Sequence, residues 1–399
     1  MEQALRDKWT KLYDNAISIA RLKPWKWIIE EKLIIINAYE GLDFYLSVMG
    51  RSGMFEGIML CTSKKAICNY GEMQSSPIPD LFGINYQEGI LLVFNKENFS
   101  LPENLEIANE FMPRKIDDKI ITFESFVKGY MPSKLTEEEL DDAIIAYETL
   151  NKALIMFDKA EKNECDAQYQ SKLLKLKNDF VNEDDKCMIL NYDEEEDNLD
   201  INVDVEPDII DYSKSLDFPD DVTKELKEIK HNDHVYQIEV LNNLPIPINE
   251  VKYKNPCMNE SIKKTQILRY FILTDETDKK VLKFTPYEKP IMSNQEEHEF
   301  IDACMNDFAN LLVQNGIPNE IIVRDEETQI LLENVAKELD INLTVSPYMD
   351  IVDDFLYGFF EHITGESVED FEIAAEDEFY NDDDDDNDDD YFDDEDDDE

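Results

Sequence analysis

Negative charge is distributed so unevenly along this chain that it decides which segments can fold. Residues 376–399 hold 18 Asp and Glu and no Lys or Arg, with Asp382–Asp386 and Asp388–Asp390 as unbroken runs. Residues 179–221 hold 17 acidic and 2 basic side chains. Like charges at this density repel one another, and too few apolar residues lie among them to offset the entropy of an ordered backbone. The first stretch is expected to be a disordered tail and the second a disordered linker. Two foldable blocks remain. Residues 1–178 carry 22 basic and 28 acidic side chains, and residues 222–375 carry 14 and 30. The whole chain has a formal charge of −55 over 399 residues, yet it is 42% hydrophobic with 21 Phe and 18 Tyr, enough for two cores.

The same distribution limits function. Nucleic-acid binding draws on a basic face that displaces counterions, and no block is net positive. The one local cluster of cations is Lys252, Lys254, Lys263, Lys264 and Arg269. Direct nucleic-acid binding is therefore not expected. The tail reads as a solubilising, weakly cation-binding terminus, as a recruiter of a basic protein, or as an electrostatic mimic of nucleic acid. No apolar run approaches the length of a membrane span, and acids in the first residues leave no secretory signal visible. Cys61, Cys68, Cys165, Cys187, Cys257 and Cys304 lack a disulfide-scaffold spacing, so reduced thiols in a cytoplasm are expected.

Hydrophobic periodicity sets the architecture. Leu5, Trp9, Leu12, Tyr13, Ala16, Ile19 and Ala20 recur at helical spacing before Pro24. Short runs at Leu33–Ala38, Phe44–Met49, Gly57–Cys61, Ala66–Tyr70, Ile90–Phe94 and Ile120–Phe126 read as strands. Thr136-Glu137-Glu138-Glu139 has the capping-box pattern and opens a helix with Leu140, Ala143, Ile144, Tyr147, Leu150, Leu154 and Phe157 on one face. The expected N-terminal domain, 1–178, is α+β, an antiparallel sheet framed by helices. In 222–375 the order is a hairpin built from His234–Leu241, Ile267–Thr274 and Val281–Phe284, then a helix over 295–314 stopped by Gly316-Ile317-Pro318. Strand Ile321–Val323, a helix through Leu332, Val335 and Leu339, strand Ile341–Val345 and a last helix through Val352, Leu356 and Phe359 follow. That order predicts an α/β domain with a mixed sheet and right-handed crossovers.

Pro24-Trp25-Lys26-Trp27, Tyr45-Leu46-Ser47-Val48-Met49-Gly50 and Gly129-Tyr130-Met131-Pro132 resemble the N-terminal domain of a bacterial and archaeal two-domain family of unknown function. Phe271-Ile272-Leu273-Thr274-Asp275-Glu276 and Ile322-Val323-Arg324-Asp325-Glu326-Glu327 resemble its C-terminal domain. The resemblance implies no established activity. In element order the C-terminal domain also distantly resembles the RNase H-like fold of integrases and transposases. That resemblance implies a carboxylate on the first strand, one after a later strand and one on the last helix, holding Mg²⁺ or Mn²⁺ around a phosphoryl transfer. The matching positions are Asp275, Asp325 and Glu361. Acids are frequent enough here for chance to supply such matches, and Glu361 sits on the far side of its helix from the apolar stripe. Asp325 also reads as a helix cap, and Asp275 as the start of a turn.

No P-loop, GxGxxG or GxSxG pattern is present, and His231 and His234 lack neighbouring Cys for a zinc set. Trp25 and Trp27 alternate, so one can face a core and the other a partner. The expectation is a non-enzymatic, protein-binding chain with no cofactor. A metal-dependent nuclease or mobile-element accessory protein is the alternative, and mimicry of nucleic acid toward a basic protein is the third.

Overall fold

The structure is a computed structural model. It describes residues 3–39, 42–51, 56–75, 78–95, 101–112, 115–183, 185–193, 198–205, 215–240, 242–254, 261–287, 294–365 and 367. Two mixed α/β domains, each with a sheet of mixed orientation, follow one another along the chain. The acidic tail and Cys257 lie outside the described residues.

The first domain runs α1 (Gln3–Leu22), β1 (Ile34–Tyr39), β2 (Leu42–Met49), β3 (Glu56–Cys61), α2 (Lys64–Ser75), α3 (Asp80–Gly83), β4 (Gly89–Asn95), α4 (Pro102–Phe111), β5 (Ile120–Phe126), α5 (Glu137–Glu161), α6 (Ala167–Asn182), β6 (Lys186–Asp193) and β7 (Asn198–Val205). Its sheet has the order β5-β4-β3-β2-β1-β6-β7, antiparallel except where β1 meets β6. The apolar stripe of α1 packs against α5 and one sheet face, burying Leu12, Tyr13, Ala16, Tyr147 and Leu150. At the start of α5 the Thr136 hydroxyl accepts from the Glu139 N–H at 3.0 Å, and the Glu139 carboxylate accepts from the Thr136 N–H at 2.7 Å. That reciprocal pairing is the expected capping box.

Two expectations need correction. The acidic segment 179–221 is not a disordered linker over its described part, because β6 and β7 extend the first sheet by two strands. Cys187, Met188 and Leu190 of β6 are buried, and β7 alternates the inward Leu199, Ile201 and Val203 with outward acids. An edge strand of a half-solvated sheet tolerates that alternation. Ala66–Tyr70, expected as a strand, lies in α2, whose Ala66, Ile67 and Tyr70 cover the other sheet face. Short apolar runs do not separate the two states.

The second domain runs α7 (Asp220–Lys227), β8 (Val235–Glu239), β9 (Asn243–Lys254), β10 (Ser261–Asp275), β11 (Lys280–Tyr287), α8 (Asn294–Asn315), β12 (Glu320–Val323), α9 (Glu326–Glu338), β13 (Asn342–Val345) and α10 (Asp350–Thr364). The strand order is β11-β10-β8-β12-β13, with β9 pairing the first part of β10. β10 is antiparallel to β8 and β11, whereas β12 is parallel to both β8 and β13. Gly316, at φ 94°, ends α8 as expected. Helices α8 and α9 cover one face through Phe308, Leu312, Leu332 and Val335. The other face receives α10 together with Leu81 and Phe82 of α3, so one apolar cluster belongs to both domains.

Hydrogen bonds join the domains as well. Met131 N–H donates to the Thr265 carbonyl at 2.8 Å, and Ile267 N–H to the Gly129 carbonyl at 3.0 Å. The buried Lys264 ammonium donates to the hydroxyls of Ser125 and Ser133 at 2.9 and 3.0 Å. Among the described residues no helix is long and apolar enough to cross a membrane.

Candidate functional site

From β8 the chain moves to β10 and β11 on one side, then returns to β12 and β13 on the other. The carboxyl ends of the parallel neighbours β8 and β12 therefore flank a point where strand order reverses, where open α/β sheets place ligand crevices. Glu239 ends β8, Arg324 and Asp325 follow β12, and Asp353 lies in the first turn of α10.

Arg324 fills the centre of this crevice, and its side chain is wholly buried. Its Nε donates to Glu239, its Nη2 to Asp353 and its Nη1 to the Pro347 carbonyl. The Tyr270 hydroxyl donates to the second oxygen of Glu239. The second oxygen of Asp353 accepts from the Met349 N–H at 2.9 Å. The Phe82 ring lies 4.0 Å from the guanidinium carbon, so an aromatic face from the first domain covers the cation. Burial works against the Arg324 charge, but Glu239 and Asp353 outweigh it and raise its pKa above the ordinary value. For Glu239 burial pushes the carboxyl up, with Arg324 the main opposing influence. Two buried carboxylates thus share the chain's own cation in a fixed ionic triad.

Around the triad the first domain supplies a second layer. Asp325 caps α9, accepting from the Thr328 N–H at 2.6 Å, and its other oxygen faces the Asn242 amide at 3.4 Å. Glu327 pairs with Lys65 at 2.6 Å and Lys128 at 3.0 Å. Burial opposes its charge, but Lys128 and Lys65 prevail and hold its pKa at about 2. Glu72 of α2 accepts from the Glu326 N–H at 3.3 Å. Burial first, and the Asp325 charge second, push its pKa to about 7. The Tyr86 hydroxyl beside Asp325 and Glu72 is buried without a hydrogen-bond partner.

The structure places the sequence candidates apart. Asp325 is at the crevice and acts as a cap. Asp275 ends β10, level with Tyr236 at the start of β8, so it lies at the opposite end of the sheet. Glu361 is exposed, eight residues beyond Asp353, about 12 Å along α10. The acid whose charge meets that of Asp325 is Glu72, while Glu239 and Asp353 hold the preceding residue, Arg324. Glu239 was not singled out from the sequence, though a signal exists. Gln237 and Glu239 share one face of an otherwise apolar run, and a buried polar pair of that kind calls for partners. Trp25 is buried with its ring 4.9 Å from Phe94. Trp27 is half-buried, edge-on to Phe157 and Phe180, with the Lys177 ammonium 4.0 Å over its ring. In the basic cluster Lys264 and Arg269 are buried, and the side chains of Lys252, Lys254 and Lys263 lie outside the described ones.

Residues 9–175 match the family model of a domain of unknown function (DUF7309), and residues 223–360 match a second domain of unknown function (DUF6930). The chain belongs to a two-domain family of unknown function. No curated protein and no solved structure matches it. In this family member the Gly129-Tyr130-Met131 segment bonds to β10, and Arg324-Asp325-Glu326-Glu327 forms the floor of the crevice. Two of the five motifs through which the sequence resembles the family therefore lie where the two domains meet.

Proposed function

We propose that this chain is a cytoplasmic, non-enzymatic interaction module whose partner is a basic protein. The observation that carries the reading is Arg324, held between Glu239 and Asp353 at the switch point of the sheet. A crevice filled by the chain's own guanidinium and closed by Phe82 serves as a joint between domains. The formal charge of −55 supports a basic partner, since complementary fields steer association. Cys61, Cys165 and Cys304 are free thiols, in keeping with a reducing compartment. The test is capture on the immobilised full chain at low salt, with the captured species identified and then challenged with salt. The expected species is a protein of net positive charge, released as salt rises toward about 0.5 M. Recovery of nucleic acid, or of a partner indifferent to salt, overturns the reading.

A second reading, a divergent RNase H-like nuclease, is favoured by the strand order, with antiparallel β10 and β11 on one side of β8 and parallel β12 and β13 on the other. Under it Asp325, Glu239 and Asp353 would supply the carboxylates and Mg²⁺ or Mn²⁺ would have to displace Arg324. It requires Mn²⁺-dependent cleavage of DNA or RNA by the wild type that Asp325→Asn abolishes. No cleavage of either polymer removes it.

A further inference from the structure

At the end of the second sheet opposite the crevice, β10 turns into β11 through residues 276–279, with Lys279 in the left-handed region at φ 52°. This turn brings Asp275 and Asp278 to the start of β8, where His234 precedes the strand. The Asp275 carboxylate is 1% exposed. One of its oxygens lies 2.7 Å from His234 Nδ1, and the other accepts from the Asp278 N–H at 3.1 Å. One ligand atom from each of His234, Asp275 and Asp278 lies within 4.8 Å of the others.

We propose that His234, Asp275 and Asp278 form a binding site for a divalent first-row transition metal, of the Zn²⁺ or Mn²⁺ type. Donors around one such ion, at bond lengths of about 2.1 Å, sit about 3–3.5 Å apart. A small rotation of the exposed Asp278 side chain closes the difference, and water completes the coordination. One imidazole with two carboxylates suits these ions better than Mg²⁺, which favours an all-oxygen shell.

One further observation points to a cation. The Lys280 ammonium already sits 2.6 Å from Asp278 and 3.5 Å from Asp275, an internal stand-in for the ion. Lys280 is half exposed, so it leaves for solvent at little cost. The Tyr236 hydroxyl is buried close by, with its ring edge-on to His234 and the Asn232 side chain beside it. The charges of Asp275, Lys280 and Asp278 all act on that hydroxyl. The site is separate from the crevice and does not rest on the function proposed above.

The acidic tail makes simple metal uptake uninformative, so the probe is Co²⁺ followed by its visible absorption in the full chain. Imidazole ligation gives stronger, shifted bands that stand apart from the weak absorption of Co²⁺ on a carboxylate-only tail. The expected result is saturation at one equivalent, competed by Zn²⁺. His234→Ala should abolish the bands and Asp278→Asn weaken binding at least tenfold. Lys280→Gln should tighten binding about tenfold, because it removes a competing cation. Bands that persist in His234→Ala, or an affinity unchanged in Lys280→Gln, overturn the proposal, as does a wild type without a saturable signal. If His234→Ala fails to fold, as judged by circular dichroism, Asp278→Asn and Lys280→Gln alter only exposed side chains and decide the matter.

Discussion

The two ends of the second sheet hold the same kinds of group in opposite conditions. At the carboxyl ends of β8 and β12, Glu239 and Asp353 grip a guanidinium that has no exposed surface, under the Phe82 ring. At the other end Asp275 and Asp278 meet an imidazole and a half-exposed ammonium. The difference lies in the cation and its cover. Arg324 is planar, permanently charged and bonded along several edges, so it locks its carboxylates into one arrangement. Lys280 is a mobile point charge that another cation can replace. One end is a structural joint, and the other is open to exchange.

Substitutions at the two ends put that contrast at risk in order of size. Arg324→Ala leaves two carboxylates buried without their cation and should cost about 3–5 kcal/mol in urea unfolding, the largest loss expected. A loss below about 1 kcal/mol would mean that water reaches the joint. Glu327→Gln comes next, at about 2 kcal/mol near neutral pH, because it breaks the bridge to Lys65 and Lys128. Its folded pKa of about 2 lies below the ordinary 4.5. This contribution is therefore complete above pH 4.5, is lost as pH falls toward 2, and makes the wild-type and variant acid-unfolding curves converge there.

Glu72 acts with the opposite sign. Its folded pKa of about 7 lies above the ordinary 4.5, so ionisation penalises the folded state and stability falls as pH rises from 4.5 to 7. Partial solvent access screens the effect, leaving about 1 kcal/mol. Glu72→Gln should remove that slope, and thermal midpoints at pH 5 and pH 8 measure it. A slope that survives in the variant assigns it to another group. Lys280→Gln closes the series. The melting midpoint should stay within error of wild type, since the pair with Asp278 is exposed and the buried Asp275 keeps its contact with His234. A large fall would make the open end a second structural joint.

Much of the fold could be read from residue pattern alone. The capping box at Thr136, the stop at Gly316, the cap at Asp325 and the apolar face of α1 are all local devices, complete within a few residues, and each is present. What escaped depended on distant partners. Charge counting across 179–221 averaged away the alternation in β7, which makes sense only beside β6. The strand β9, which holds Pro245 and Pro247, was not singled out; among the described residues it pairs with β10 alone, and an edge strand has a free side on which a missing donor costs nothing. The crevice was half legible. Asp325 carries a capping signature, whereas Glu239 acquires meaning only when Arg324, 85 residues later, folds back beside it.

The apolar cluster that both domains share also sets a timetable. Leu81 and Phe82 belong to the first domain, but the helix that covers them ends with Phe360 and Thr364. A ribosome adding about 5–20 residues per second reaches α10 roughly 15–55 seconds after it has passed Phe82. Through that interval β9 and β10 reach the apolar knob of the first domain, but the cover from α10 is still missing. Holdase chaperones bind surfaces of this kind, and a chain cut short before α10 would keep that part of the knob exposed for as long as it lasts.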